Sequence, residues 1–181
     1  MYMVMYIVIT VFIVGLMSGR TPEYLGMKIS ARDVKLVMIT FLVHPVIILV
    51  PTVLAYATGA ASAIGVSTGS TGFTQIFYEF TSAAANNGSD FLGATGNSPF
   101  FNISTALVMF FGRFIPIGLL LALAGSMINR RRTSEMGLRT DSVTFTIVLV
   151  GSILLLVVLT FFPFLALGPI LELFQKRVNG F

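Results

Sequence analysis

Residues 72–99 read GFTQIFYEFTSAAANNGSDFLGATGNSP, and this stretch decides the fold. Its first half, Gly72 to Ala85, has helical character: Phe73, Ile76, Phe77 and Phe80 fall on one face at 3.6-residue spacing. Its second half, from Asn86 onward, is polar and glycine-rich and reads as non-helical backbone. The helix is too short to cross a bilayer, which takes about 20 residues. Long apolar runs flank it on both sides, Val34 to Tyr56 and Phe100 to Ile128. A short helix followed by irregular polar backbone, between two full spans, is the layout of a re-entrant pore loop. Such backbone is tolerated at membrane depth only where it is buried in protein or lines a watery cavity.

Two further apolar runs lie outside this unit. Met1 to Ser18 lacks the basic start and small-residue cleavage site of a signal peptide and reads as a membrane helix. Ser142 to Phe162 reads as the last span, ended by Pro163 and followed by a tail holding Glu172, Lys176 and Arg177. The Val34 to Tyr56 run is interrupted by His44, Pro45 and Pro51, which membrane helices accommodate when neighbours re-satisfy the freed carbonyls. Ala57 to Thr71, with glycine at 59, 65 and 69, reads as loop. The expected fold class is all-α integral membrane, with about four transmembrane helices plus one re-entrant pore helix and filter loop. Composition agrees: 56% of the 181 residues are hydrophobic and 10% charged, too few charges to cover a soluble surface.

Charge distribution sets the expected orientation. Arg20, Lys28, Arg32 and Lys35 make the segment around 19–35 basic, and Arg130, Arg131, Arg132 and Arg139 do the same for 129–141. Both read as cytoplasmic, whereas 57–98 carries no Lys or Arg and reads as external. The tail is then external as well. The three consecutive arginines read as a topology determinant rather than a binding patch, although they could meet anionic lipid or a cytoplasmic partner. A net charge of +4 confined to such loops gives no reason to expect nucleic acid. With no cysteine and a single histidine there is no thiol chemistry and no multi-histidine metal site. No GxxxxGK[ST] or DKTG-like sequence occurs, so the chain has no visible means of hydrolysing ATP.

The residues that could carry chemistry lie at 86–90 and 113. A cation filter needs backbone carbonyls that replace the ion's water shell. Gly88 is its natural centre, with Asn86, Asn87 and Ser89 around it, and Ala83 to Ala85 allow close packing behind. A pore helix ending there points the negative end of its dipole at the cation. The alternative is an ordinary polar external loop. Arg113, inside FFGRFIPIG, is an intramembrane charge that could limit ion flow electrostatically below a filter, or be a structural arginine satisfied by helix-end carbonyls. Asp90 could gather cations at the external mouth or be a solvated loop acid. Glu79 could pair with a neighbouring helix, and His44 reads as a packing residue rather than a ligand.

Five stretches resemble one family: GRTPEYLGMKI at 19–29, SAAANNGS at 82–89, NSPFFN at 97–102, FFGRF at 110–114 and LTFFPFLALGP at 159–169. Together they resemble the C-terminal third of the potassium-binding subunit of the bacterial potassium-transporting P-type ATPase, the Kdp complex, in the superfamily of potassium transporters. The resemblance implies a four-fold repeat of helix, pore loop and helix around a potassium ion. Asn86 to Ser89 would be the fourth filter strand and Arg113 the arginine below it. By the same resemblance, 1–33 would hold the end of a preceding-repeat helix and a cytoplasmic loop. Residues 34–128 would form one repeat with its filter strand, and 129–181 a cytoplasmic loop, the last transmembrane helix and the external tail.

The implied role is non-catalytic: potassium bound outside a bacterial or archaeal plasma membrane and passed to a separate P-type ATPase subunit, which uses the ATP. No organic cofactor is implied. The implied partners are that subunit, small accessory subunits, the missing repeats and membrane lipid. The family protein is roughly three times longer, so the chain reads as a fragment, one piece of a split subunit, or a remnant. A channel-like or secondary potassium transporter without an ATPase is the competing expectation. Asp90 departs from the small neutral residue expected there.

Overall fold

The computed structural model describes residues 2–19, 21–24, 26–66, 69–128, 130 and 142–178. Arg20, Arg131, Arg132 and Arg139, assigned above to basic loops, lie outside the described residues, as does Met1. The chain is mostly helical. Helix α1 (Tyr2–Ser18) is followed by a two-stranded hairpin, β1 (Glu23–Tyr24) and β2 (Met27–Lys28). Helix α2 (Ala31–Ala57), the single turn α3 (Ala60–Ala63), α4 (Ser70–Ala85), α5 (Pro99–Ile128) and α6 (Val143–Val178) complete it.

Two helices among the described residues, α2 and α5, are long and apolar enough to cross a membrane. At about 1.5 Å per residue both exceed the ~30 Å hydrocarbon core. The stretches Met3–Ser18 and Val143–Leu159 are shorter apolar helices. Helix α2 continues through Pro45 and Pro51, and α5 through Pro116. Both also expose rows of large apolar side chains, among them Leu42, Val46 and Val53 on α2 and Ile103, Leu107, Phe110 and Phe114 on α5. Apolar surface on this scale is foreign to a soluble monomer.

Three expectations need correction. Pro163 does not end the last helix: α6 runs on to Val178. A proline removes one backbone donor, but the sequence on both sides, LTFFPFLALGP, is apolar and offers the backbone no polar alternative to helix. The segment 57–71 is not all loop, since α3 and the start of α4 fall within it. The polar stretch after Asn86 contains one 3-10 turn, Gly93–Gly96.

The chain divides into two compact units, residues 1–41 with 117–161 and residues 42–116 with 162–181. The first has a core of Met5, Val8, Ile9, Val11, Ile29, Val37, Leu123, Phe145 and Leu149. Its hairpin pairs Glu23 with Lys28 and Tyr24 with Met27 and turns at Gly26, whose φ of 73° suits glycine. Helix α2 then starts with a cap supplied by the side chain of its third residue. Asp33 Oδ2 accepts hydrogen bonds from Ser30 N at 2.8 Å and Ser30 Oγ at 2.9 Å.

The Asp33 side chain is fully buried and is clasped from a second direction. Arg130 places its guanidinium fork on both carboxylate oxygens, with Nη2 donating to Oδ1 at 3.0 Å. Ser126 Oγ of α5 donates to Oδ1 at 2.6 Å, and Arg130 Nη1 also donates to the Lys28 carbonyl at 2.6 Å. Of the three arginines at 130–132, the first is thus a structural ion-pair partner. A carboxylate buried in this way is stable only because every oxygen is occupied.

The second unit has a core of Ala55, Ala61, Ile76, Phe80, Ala83, Ala84, Leu92, Phe101 and Val108. Ile76 and Phe80, two of the four aligned apolar residues of α4, are completely buried. The Phe80 and Phe101 rings stack at 5.8 Å between centroids, fastening α4 to α5. Burial of each such side chain is worth about 1.5–3 kcal/mol.

Candidate functional site

The site lies in the second unit, where α4 ends. Its last residue is Ala85, and Asn86 caps it in the left-handed conformation, φ 52° and ψ 38°. Asn86 is the single non-glycine with positive φ among the described residues. Asparagine tolerates this region better than most side chains. Its amide N–H donates to Ala83 O at 3.0 Å, closing the helix. Gly88 follows with φ 74°. A Cβ built there meets nothing within 4 Å, so backbone conformation and not crowding requires glycine in this chain. Two left-handed residues flanking one ordinary one turn the chain sharply off the helix axis.

Three contacts fix where that turn sits. Gly112 of α5 approaches the end of α4 so closely that a Cβ would lie 2.6 Å from the Ala84 carbonyl oxygen and 3.2 Å from its Cα. The obstacle is backbone, which cannot swing aside as a side chain could. From α5 as well, the Met109 carbonyl accepts from Asn86 Nδ2 at 3.1 Å. From α2, the His44 side chain bonds the Ala84 backbone.

The side chains of the strand are turned to local work. Asn87 Oδ1 accepts from Ser82 Oγ at 2.7 Å, Ser89 N at 2.9 Å and Ser89 Oγ at 3.1 Å. The Ser89 bond is an Asx turn, in which a side chain mimics the backbone of a turn. Tyr78 of α4 pairs its hydroxyl with Ser89 Oγ at 2.9 Å. Asn87 and Ser89 are therefore tied back onto α4 through their side chains.

All four filter candidates, Asn86, Asn87, Gly88 and Ser89, thus fall on one turn, and Arg113 stands on α5 beside Gly112 with an exposed side chain. Asp90 and Glu79 both bind backbone N–H groups of residues 91–93. They border a cavity of about 240 Å³ whose lining also includes Asn97, Asn102 and Thr105. Among the described residues there is no group of three or more His, Asp or Glu side chains able to hold a metal ion. Sequence reading missed Gly112, Met109 and Tyr78. Gly112 stands in the FFGRF stretch, where a small residue in an apolar helix marks close backbone approach. The Met109 carbonyl and Tyr78 hydroxyl leave no such signature.

The family model for the potassium-transporting ATPase A subunit matches residues 1–174. Three proteins named potassium-transporting ATPase potassium-binding subunit match nearly the whole chain. The one from Alicyclobacillus acidocaldarius is 51% identical over 173 residues, 94% of this chain and 31% of its own length. Its namesake from Geobacillus kaustophilus is 45% identical over 175 residues, 96% of this chain and 31% of that protein. For Gloeobacter violaceus the figures are 50% over 173 residues, 94% and 30%. The chain therefore spans about 31% of the length of these curated relatives. The break after Ala85, Gly112 and Arg113 all fall inside the matched residues, and the chain belongs to the potassium-transporting ATPase A subunit family.

Proposed function

We propose that the chain supplies one filter strand and its supporting helices to a potassium-binding, ion-conducting membrane subunit. In this reading α1, α2, α5 and α6 cross the membrane and α4 enters from the outside as a re-entrant pore helix. Its continuation, Asn86 to Ser89, contributes backbone carbonyls that, with counterpart strands, replace the water shell of a potassium ion. The observation that carries the reading is α4, buried along one face and ending in left-handed Asn86 and Gly88, within a family whose similar members are named for potassium binding. The exposed apolar faces of α2 and α5 support a multi-pass location in a bacterial or archaeal plasma membrane.

The roles of the surrounding groups follow. The C-terminal end of α4 directs partial negative charge toward the ion. Arg113 places a fixed positive charge beyond the strand, where it limits passage and favours hand-over of the ion. Asp90 adds negative charge at the outer mouth. A separate P-type ATPase subunit receives the potassium and hydrolyses ATP. Small accessory subunits, the remaining filter repeats and lipid complete the assembly.

The test is Gly88→Asp in the assembled complex, with potassium-stimulated ATP hydrolysis and ion preference measured together. A raised half-saturating potassium concentration and weaker discrimination against sodium are expected. An unchanged ion preference in a correctly assembled variant removes the filter assignment. Potassium uptake that follows membrane potential in the absence of any ATPase partner overturns the ATP-driven reading in favour of a channel-like transporter.

A further inference from the structure

Glu79 and Asp90 are the sole acidic residues between Asp33 and Glu135. The turn at Asn86 to Gly88 folds the chain back so that the segment after Asp90 reaches the side of α4. There the two carboxylates share one donor: Leu92 N–H bonds Glu79 Oε2 at 3.3 Å and Asp90 Oδ1 at 2.9 Å. Each also holds a donor of its own, Phe91 N to Glu79 Oε2 at 3.1 Å and Gly93 N to Asp90 Oδ1 at 3.1 Å. Two acceptors on one N–H are close neighbours, so the two carboxyl groups stand side by side. Ionised carboxylates only accept, so a hydrogen bond between the two takes a proton on one of them. Two negative charges so close would repel, which a shared proton relieves. Glu79 is half-buried and Asp90 exposed, and both line the 240 Å³ cavity, so the proton can exchange with water.

No described cation is positioned to neutralise the pair. Residues 36–112 contain no Lys or Arg. On α4 the neighbouring titratable group is Tyr78, bonded to Ser89. On α2, His44 bonds the Ala84 backbone, and Tyr56 lines a different cavity with Phe73. The α5 residues in the lining are the neutral Phe101, Asn102 and Thr105, and Arg113 stands three turns further along that helix. The side chains of Glu172, Lys176 and Arg177 lie outside the described residues.

We propose that Glu79 and Asp90 form a one-proton latch that pins residues 91–93 to α4 and so makes the position of the 86–89 strand sensitive to pH. The sensing of external pH rests on the membrane orientation proposed above; the latch itself does not. Burial, reinforced by the neighbouring Asp90 carboxyl, pushes the Glu79 carboxyl up from its ordinary value. The bond from Glu79, followed by those from Gly93 and Leu92, holds Asp90 below its own. Glu79 therefore carries the proton and donates it toward Asp90. The raised Glu79 contributes stability that is complete below its unfolded value and is lost as pH rises through its folded one. The depressed Asp90 contributes stability present above its unfolded value and lost as pH falls through its folded one. The latch is tightest between these two limits. Above the upper limit both carboxylates are charged and the loop loosens while the mouth gains negative charge.

The test is infrared titration of the full chain in lipid vesicles, compared with Glu79→Gln and Asp90→Asn. The expected result is a protonated-carboxyl band that persists above the ordinary carboxylate range. It should disappear in Glu79→Gln and move to lower pH in Asp90→Asn. Absence of the band from the unaltered chain overturns the latch without reference to any variant. A band that titrates identically in Asp90→Asn shows that Glu79 is protonated by burial alone, which also overturns it. In the assembled complex, half-saturating potassium should shift with pH in the native protein and lose that shift in both variants. A complex that binds no potassium while the band behaves as expected sinks the filter reading and leaves the latch standing.

Discussion

The two units of this chain hold their polar parts by opposite means. The first unit buries an ion pair: Asp33 is enclosed by an arginine fork, two serines and a backbone N–H. The second holds the 86–89 strand with neutral partners, an asparagine amide, serine and tyrosine hydroxyls and a carbonyl set against a glycine. The difference is physically sensible if the strand binds a cation. A fixed cation within hydrogen-bonding reach of the carbonyls would occupy them or repel the ion. Neutral donors can position the backbone without competing for its oxygens.

Breaking the charged side should give the largest stability change. Arg130→Gln leaves Asp33 buried with its two serines but without a counter-charge, and loss of one partner of a buried pair costs about 3–5 kcal/mol. Thermal unfolding in detergent reads this, and adding Asp33→Asn to the variant should recover part of the loss. A second variant sharpens the neutral side. Gly112→Ala puts a methyl group against the Ala84 carbonyl, and overpacking of this kind costs about 1–3 kcal/mol. If the proposed filter is right, its signature should be weaker potassium discrimination as well as lower stability, because the displaced atoms are those that end α4. Arg130→Gln should leave discrimination intact in the fraction that folds. The smallest effect is expected from Asn87→Ala, which removes a side-chain acceptor of three bonds in an exposed position. Net hydrogen-bond contributions suggest about 0.5–1.5 kcal/mol, with hydrogen exchange at Ser89 as the direct readout.

Much of this arrangement was legible in the sequence. The 3.6-residue spacing of Phe73, Ile76, Phe77 and Phe80 marks helix α4, and Ile76 and Phe80 are its buried seam. The polar glycine-rich stretch after Ala85 marked the break, and Gly88 proved to need the freedom that only glycine gives cheaply. The misses have physical reasons. Pro163 was weighed as a local helix breaker, yet the apolar sequence around it keeps the backbone helical. The hairpin at 23–28 is too short to show a strand period. Arg130 looked like one member of a charge run, because the carboxylate that claims it is 97 residues away. Glu79 and Asp90 could be read one at a time, but their common donor appears only once the chain has reversed.

Gly112 carries a consequence for engineering. Replacing helix glycines with alanine is a standard route to a more heat-resistant protein, worth about 0.4–1 kcal/mol where the backbone allows it. Gly118, Gly125 and Gly151 qualify on this ground, because an added methyl there meets open space within the chain. Gly112 sits on the same kind of helix and would score the same by propensity alone. At that position a missing carbon atom is what lets two helices meet, so robustness gained by the usual substitution would be bought with the geometry of the strand.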